Sequence, residues 1–110
     1  MRTYWTYILT NAARNVMYIG VTNNLEHRVA EHRRGQGSVF TRRYNVHTLV
    51  CAESHQQIED AIAREKEIKA WRRSKKDALV ESVNPTWADL FSPGAAFVIP
   101  SGAGGSLLVR

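Results

Sequence analysis

The sequence predicts an α+β domain, in which helices flank a small three-stranded β-sheet with antiparallel or mixed strands. Strand-like segments occur twice near the N-terminus and once near the middle, and apolar residues with helical spacing follow the second and third. The resulting order is strand, strand, helix, strand, helix, helix. With 110 residues, 44% of them hydrophobic, the chain suits one domain with one modest core. We expect this domain over residues 1–91 and a flexible tail rich in Gly, Ala and Ser over 92–110.

The first two strands are predicted over residues 4–9 and 16–21, which are rich in aromatic and β-branched residues. A turn over residues 11–15 joins them as a hairpin. If the loop is the pair Ala12-Ala13, Tyr7 lies opposite Tyr18 and the two side chains face each other across the ladder.

The first helix is predicted to start at Asn23 or Asn24, because Asn23 with a glutamate three residues later fits a capping box. It ends at the glycine-bearing segment 34–38. A basic loop containing residues 41–43 follows, and the third strand covers residues 47–53.

The next helix is predicted over residues 57–73, where Ile58, Ala61, Ile62 and Ile68 form an apolar stripe. A last helix covers residues 75–83. Asn84-Pro85 ends it, because proline disfavours helical backbone at the residue before it. Residues 86–90 form a final packed turn.

Composition excludes several classes of protein. No run of about 18 or more apolar residues is present, so no membrane span is expected. The N-terminus lacks the pattern of a secretory signal. The single cysteine, Cys51, lies in an apolar run and is expected to be a buried packing residue in a reducing cytoplasm. We therefore expect a cytoplasmic protein.

The charge distribution favours a polyanionic partner. The formal net charge is +5, and twelve of the 15 Lys and Arg lie between Arg28 and Lys76. A solvated helix face is the alternative reading of this pattern. Seven basic residues are candidates for contacts to a nucleic-acid backbone that do not read sequence. They are Arg42, Arg43, Lys69, Arg72, Arg73, Lys75 and Lys76.

Glu65 is the strongest single indication of chemistry. It falls near the centre of the apolar stripe of its helix, where an ionised carboxylate is costly without compensation. It is either half of a structural ion pair, for example with Arg72, or a metal ligand at the edge of a cleft. One carboxylate with waters and substrate phosphate suits Mg²⁺, with Mn²⁺ as the alternative.

Four further residues complete a candidate hydrolytic site. Tyr7 and Tyr18 are either packing residues of the sheet or proton acceptors. Arg28 is placed to hold a phosphate, with Glu31 as its structural alternative partner. His32 lies four residues after Arg28 on the same helix face, where it either assists proton transfer or is a satisfied, half-buried histidine.

These residues resemble the active-site motifs of the GIY-YIG nuclease family, and in particular its small single-domain bacterial branch. The resemblance covers roughly residues 3–90. The matching elements are Tyr7, the tripeptide Tyr18-Ile19-Gly20, Arg28, His32, Glu65, a stretch over 63–73 and an ending over 84–90. The first motif reads Thr6-Tyr7-Ile8 instead of Gly-Ile-Tyr, and Asn84 corresponds only loosely to an asparagine that some members use.

The resemblance implies an endonuclease that hydrolyses the DNA backbone with one divalent metal ion held by Glu65 and a tyrosine as general base. Ile19, Gly20 and Asn84 would be structural parts of the motif. DNA is the implied substrate, in repair or processing; selectivity for DNA structure and a protein partner that supplies targeting are further expectations from the resemblance. Two alternatives stay open: a non-catalytic nucleic-acid-binding module on the same fold, and a protein-interaction domain whose charge is only solubilising.

Overall fold

The computed structural model of the protein describes residues 2–91 and 105–106, so the predicted tail over 92–110 lies outside the described residues apart from those two. The elements in chain order are β1 (Tyr4–Thr10), β2 (Met17–Thr22), α1 (Leu25–Arg33), α2 (Val39–Arg43), β3 (Thr48–His55), α3 (Ile58–Ala70), α4 (Arg73–Val83) and β4 (Gly105–Ser106). Strands β2, β1 and β3 form a three-stranded antiparallel sheet, and β4 pairs with two residues of β3. The α+β class and the three-stranded sheet are therefore confirmed.

The register of the β1–β2 hairpin differs from the one predicted. Tyr7 lies opposite Gly20, and Tyr18 lies opposite Leu9, so the expected pairing of Tyr7 with Tyr18 is wrong. The connection between the strands spans residues 11–16, and Arg14 within it has a positive φ of 61°. The register is thereby displaced by two residues, which preserves the face on which each side chain lies.

Successive side chains of β1 lie on opposite faces of the sheet and belong to two separate cores, one on each face. On one face, Tyr7 and Leu9 pack with Leu25 and Val29 of α1. On the other face, the core contains Ile8, Ile19, Val50, Cys51, Ile68, Val80 and Trp87. The predicted burial of Cys51 is confirmed, and burial raises the pKa of its thiol to about 12.

Helix boundaries differ from the predictions in two regions, and the structure selects one of the two predicted starts of α1. Residues 41–43 lie in α2, which Ser38 caps, so the prediction of a basic loop there is wrong. Helix α3 ends at Ala70, because Trp71 and Arg72 have extended backbone conformations before α4 begins. Asn24, rather than Asn23, caps α1 by accepting a hydrogen bond from the backbone N–H of His27 at 3.2 Å. No helix within residues 2–91 is long and apolar enough to cross a membrane.

A buried ion pair attaches α3 to the sheet. Both carboxylate oxygens of Glu53 on β3 accept hydrogen bonds from Arg64, with distances of 2.8 and 3.0 Å. The side chain of Glu53 is only 7% exposed, so this fork satisfies a carboxylate that would otherwise be costly to bury. Thr6, which lies opposite Glu53 on β1, donates to the carbonyl of Ala61 in the same helix at 2.9 Å.

Asn84 organises the segment that follows α4. Its amide nitrogen donates to the carbonyls of Val50 at 3.1 Å and Ala88 at 2.9 Å, and its oxygen accepts from the N–H of Ala88 at 3.1 Å. Trp87 within this turn has a φ of 57° and is buried. The hydrogen bonds of Asn84 therefore compensate an unfavourable backbone conformation and join the turn to β3.

We expect Asn84→Ala to lower the free energy of unfolding by about 2 to 3 kcal/mol, because three backbone groups lose their partner at a buried site. Urea denaturation monitored by circular dichroism measures this. Asn23→Ala removes an exposed asparagine and serves as the matched control. Equal unfolding midpoints for the two variants would contradict this role for Asn84.

Candidate active site

Four of the predicted site residues meet on the α1 face of the sheet. The ring centroids of Tyr7 and Tyr18 lie 6.2 Å apart, and those of Tyr18 and His32 lie 5.1 Å apart. The guanidinium of Arg28 lowers the pKa of the Tyr7 phenol, although the effect of burial is larger. The structure thus brings together Tyr7, Tyr18, Arg28 and His32, which we call the tyrosine cluster.

Tyr7 lies at the centre of this cluster and is only 1% exposed. Its hydroxyl forms a 3.0 Å hydrogen bond with Nε2 of His32, which is fully buried. The path of the Tyr7 side chain passes over Gly20 on the neighbouring strand. A Cβ at position 20 would lie 2.5 Å from the Tyr7 hydroxyl oxygen and 2.9 Å from a ring carbon of Tyr18. The glycine of the Tyr-Ile-Gly motif is therefore required by the packing of the two tyrosines.

The second nitrogen of His32 is held by the segment that leads into α2. Nδ1 lies 2.9 Å from Oγ1 of Thr41. Gly37 lies against the ring, and a Cβ at that position would approach Nδ1 to 2.1 Å. Burial, assisted by the charge of Arg28, lowers the pKa of His32 to about 4. His32 is consequently a neutral imidazole at neutral pH.

Arg28 forms two hydrogen bonds at the edge of the cluster. It donates to Glu31 at 3.0 Å and to the carbonyl oxygen of Gly37 at 3.1 Å. Its side chain is 29% exposed, so part of the guanidinium is open to solvent. The expected alternative partner Glu31 is thus present, and the same contacts hold Arg28 beside the phenols.

The phenol of Tyr7 strongly favours its protonated form. Burial and the nearby Tyr18 raise its pKa well above the usual range, and the guanidinium of Arg28 offsets this only in part. Tyr18 is half-buried and lies nearer to solvent. The cluster therefore presents an accessible phenol, a buried phenol and a neutral imidazole.

Glu65 lies apart from the tyrosine cluster. It occupies the stripe of α3 between Ala61 and Ile68, which are both buried, whereas Ile62 is 38% exposed. Oε2 of Glu65 pairs with Nζ of Lys69 at 2.6 Å, so an ion pair is present, and its partner is Lys69 instead of Arg72, the example that the sequence suggested. The Glu65 side chain is 19% exposed, and no hydrogen bond joins it to the tyrosines within residues 2–91.

The predicted backbone-binding residues divide into two groups. Arg42, Arg43, Arg72 and Lys75 are exposed. Lys69 is paired with Glu65, Lys76 is half-buried, and Arg73 donates to Asp77 and to the carbonyl of Arg14. Lys69 is also exposed, but Arg42, Arg43, Arg72 and Lys75 are in no salt bridge within residues 2–91 and are therefore the better placed to contact a nucleic acid.

Sequence reasoning missed the two residues that hold His32 from the α2 side. Gly37 was expected in the segment 34–38 that ends the first helix, and Thr41 was expected in the basic loop that follows; neither was given a role in the site. Serine is among the residues preferred at the N-cap of a helix, so Ser38 was the available signal for α2.

Comparison with known protein families identifies the domain. The family model described as the GIY-YIG catalytic domain matches residues 3–77, which include all five predicted catalytic residues. The chain therefore belongs to the GIY-YIG family. This is a nuclease-type domain, whose expected substrate is a nucleic acid.

Within this family, the chain is similar to proteins described as UPF0213. One from Natronomonas pharaonis is 40% identical over 77 residues, which span 70% of this chain and 89% of that protein. One from Staphylococcus haemolyticus is 33% identical over 81 residues, 74% of this chain and 98% of that protein. The solution NMR structure of a UPF0213 protein from Bacillus halodurans matches with a TM-score of 0.52 and 26% identity, covering 86% of this chain and 99% of that one. Relatives thus occur in archaea as well as in bacteria.

We expect Gly20→Ala to destabilise the protein by about 1 to 3 kcal/mol, because the new methyl group overlaps the Tyr7 hydroxyl and must displace it. Denaturation midpoints measure the cost, and the proton resonances of Tyr7 and His32 report the displacement. Val21→Ala, a truncation at the adjacent half-buried position, is the control for a change in β2. Unchanged Tyr7 resonances in Gly20→Ala would show that the strand can move to accept the methyl group.

The low pKa of His32 predicts acid sensitivity. His32 stays neutral in the folded protein down to about pH 4, whereas an unfolded histidine binds a proton below about pH 6.5. The unfolded state binds more protons in this window, so the free energy of unfolding falls as the pH decreases from about 6.5 to about 4, by up to about 3 kcal/mol. Denaturation series at several pH values measure the slope. His32→Gln should have a shallower slope, whereas His27→Gln, at an exposed position, should retain it.

Proposed function

We propose that this protein is a divalent-metal-dependent endonuclease that hydrolyses DNA phosphodiester bonds in DNA repair or processing. The observation that supports the proposal most directly is the tyrosine cluster itself. Two phenols, a neutral imidazole and a guanidinium converge on one face of a GIY-YIG domain. These groups supply proton transfer and charge stabilisation, which hydrolysis of a phosphodiester requires.

Arg28 is the residue proposed to hold the scissile phosphate. Glu31 and the carbonyl of Gly37 fix the guanidinium in place, and its side chain remains partly exposed. A guanidinium fixed before substrate binds stabilises the additional charge of the transition state with little reorganisation.

The proton of the attacking water is proposed to enter the cluster at Tyr18, which lies nearer to solvent than Tyr7. A free phenolate is disfavoured at Tyr7, so a relay suits the site better than an ionised base. In this relay, Tyr18 takes the proton from water and passes its own to Tyr7. Tyr7 then passes its proton to Nε2 of His32 along the 3.0 Å hydrogen bond. Because burial lowers the pKa of His32 to about 4, the imidazole is only a transient carrier, and the proton returns through the two phenols to solvent after cleavage. The new phosphorus–oxygen bond forms as the bond to the leaving oxygen breaks.

Glu65 is proposed as the carboxylate that holds Mg²⁺ or Mn²⁺. No group of three His, Cys, Asp or Glu side chains suited to a metal ion occurs among the described residues, so a site would depend on one carboxylate and on waters. Mg²⁺ tolerates such a site because it retains several waters. When bound, the ion would neutralise charge on the phosphate and on the leaving oxygen.

The position of Glu65 also suggests where substrate lies. Helix α3 packs on β1 and β2 on the face opposite to the tyrosine cluster. Strand β2 is at the edge of the sheet. A phosphodiester that reaches both Arg28 and Glu65 is therefore proposed to lie along the β2 edge, with the exposed Arg42 and Arg43 near the Arg28 side.

A non-catalytic nucleic-acid-binding module on the same fold is the second candidate. It is favoured by one observation: the carboxylate of Glu65 is already paired with Lys69 at 2.6 Å. If this pair is structural, binding of DNA would depend on the basic surface alone and would weaken steeply with added salt. A partner protein could supply targeting under either proposal.

The deciding experiment compares the wild-type protein with Glu65→Gln on branched, flapped, nicked and linear DNA, in Mg²⁺, Mn²⁺ or EDTA. We expect metal-dependent cleavage by the wild type and a loss of about 100-fold or more in Glu65→Gln, because its neutral amide no longer neutralises the metal ion. Glu59→Gln removes an exposed carboxylate from the same helix and should cleave as the wild type does.

Two results would decide against the nuclease. The absence of cleavage on every DNA form, together with salt-sensitive binding by wild type and Glu65→Gln alike, would establish the binding module. The absence of both cleavage and binding at low salt would leave the basic surface as a solubilising feature.

A further inference from the structure

The hydrogen bonds around His32 continue beyond the four residues of the tyrosine cluster. Oγ1 of Thr41 lies 2.9 Å from Nδ1 of His32, 3.2 Å from the carbonyl oxygen of Ser38 and 3.0 Å from the hydroxyl of Ser38. Thr41 is fully buried, and it is the third residue of α2 and not part of a loop. Within residues 2–91, no hydrogen bond joins Thr41 to Tyr7, Tyr18 or Arg28.

Two assignments of the protons fit the contacts around Thr41, because the carbonyl oxygen of Ser38 also accepts from the N–H of Arg42 at 3.1 Å and does not require the Thr41 proton. If Oγ1 of Thr41 donates to that carbonyl, it accepts from Nδ1–H of the neutral imidazole, and Nε2 accepts from the hydroxyl of Tyr7. If Oγ1 donates to Nδ1 instead, Nε2 carries the ring proton and donates to Tyr7. We adopt the first assignment, because it gives the proton of the buried Tyr7 hydroxyl an acceptor at Nε2.

We propose that Thr41 is a positioning residue that fixes the tautomer of His32, so that Nε2 is held ready to accept the proton of Tyr7. This inference rests on the proposed function, because it names the residue that orients the inner end of the relay. Ser38 supports Thr41 by capping α2: its hydroxyl accepts the backbone N–H of Thr41 at 3.1 Å. Gly37 leaves room for the ring against which this turn packs.

The first test observes the tautomer directly. In protein labelled with ¹⁵N-histidine, protonated and unprotonated ring nitrogens have well-separated chemical shifts. At neutral pH, wild-type His32 should show the proton on Nδ1, and Thr41→Val, which keeps the shape and removes the hydroxyl, should lose this preference. Thr41→Ser should restore it. A wild-type proton on Nε2 would overturn the proposal without recourse to any variant.

The second test measures cleavage. Thr41→Val should lower kcat by about 10- to 100-fold, the range typical when a partner that orients an active-site group is removed. KM should not change, because Thr41 is buried away from the DNA, and Thr41→Ser should recover most of the rate. Thr10→Val is the matched control, since Thr10 is also buried and donates to the carbonyl of Val16 at 3.0 Å in a different part of the sheet. Its kcat should remain that of the wild type.

The two tests separate this inference from the proposed nuclease activity. A wild type that cleaves no DNA would refute the nuclease, and the tautomer measurement alone would then decide the role of Thr41. Cleavage by Thr41→Val at the wild-type rate with an unchanged tautomer would refute the positioning role and leave the nuclease intact. If Thr41→Val fails to fold, the wild-type tautomer and the recovery in Thr41→Ser decide it.

Discussion

The hydrogen bond between the buried hydroxyl of Tyr7 and Nε2 of His32 is the constraint on which the site depends. Both groups are almost completely excluded from solvent, so an unpaired phenol or imidazole there would be costly. To form this bond, the chain leaves space at Gly20 for the phenol and at Gly37 for the imidazole. The hydrogen bond between Tyr7 and His32 therefore requires glycine at two backbone positions. Apolar residues of α1 pack beside it in the core.

The same contact explains why α2 matters although it has only five residues. Too short to contribute much to the core, it carries Thr41 to the second nitrogen of His32. The preceding turn carries the Gly37 carbonyl to Arg28. One short segment thereby helps to orient two side chains of α1: the imidazole together with Tyr7, and the guanidinium together with Glu31.

The sequence was sufficient for the features that depend on local pattern. Strand order and the long amphipathic helices follow from periodicity, and the four-residue spacing of Arg28 and His32 places them on one face. Features that depend on tertiary contacts could not be predicted. The register of Tyr7 depended on the length of the loop around Arg14, and α2 was too short to show a period. The ion pair of Glu65 with Lys69 is different, because its four-residue spacing on one helix could be read from the sequence. Thr41 had no signal of its own, because its role arises only once α2 lies against His32.

The cluster is close to neutral before substrate binds, which bears on how it can act. Glu31 offsets the charge of Arg28, His32 is uncharged and Tyr7 keeps its proton. A phosphate that approaches Arg28 must therefore share the guanidinium with Glu31, and affinity for a lone phosphate should be modest. Tight binding then requires further cations: the exposed arginines of α2 are available, and the metal ion proposed at Glu65 would add charge from the other side of the β2 edge. Because these charges lie at separate places, only an extended polyanion reaches all of them at once. The site would therefore bind a DNA backbone more tightly than a small phosphate.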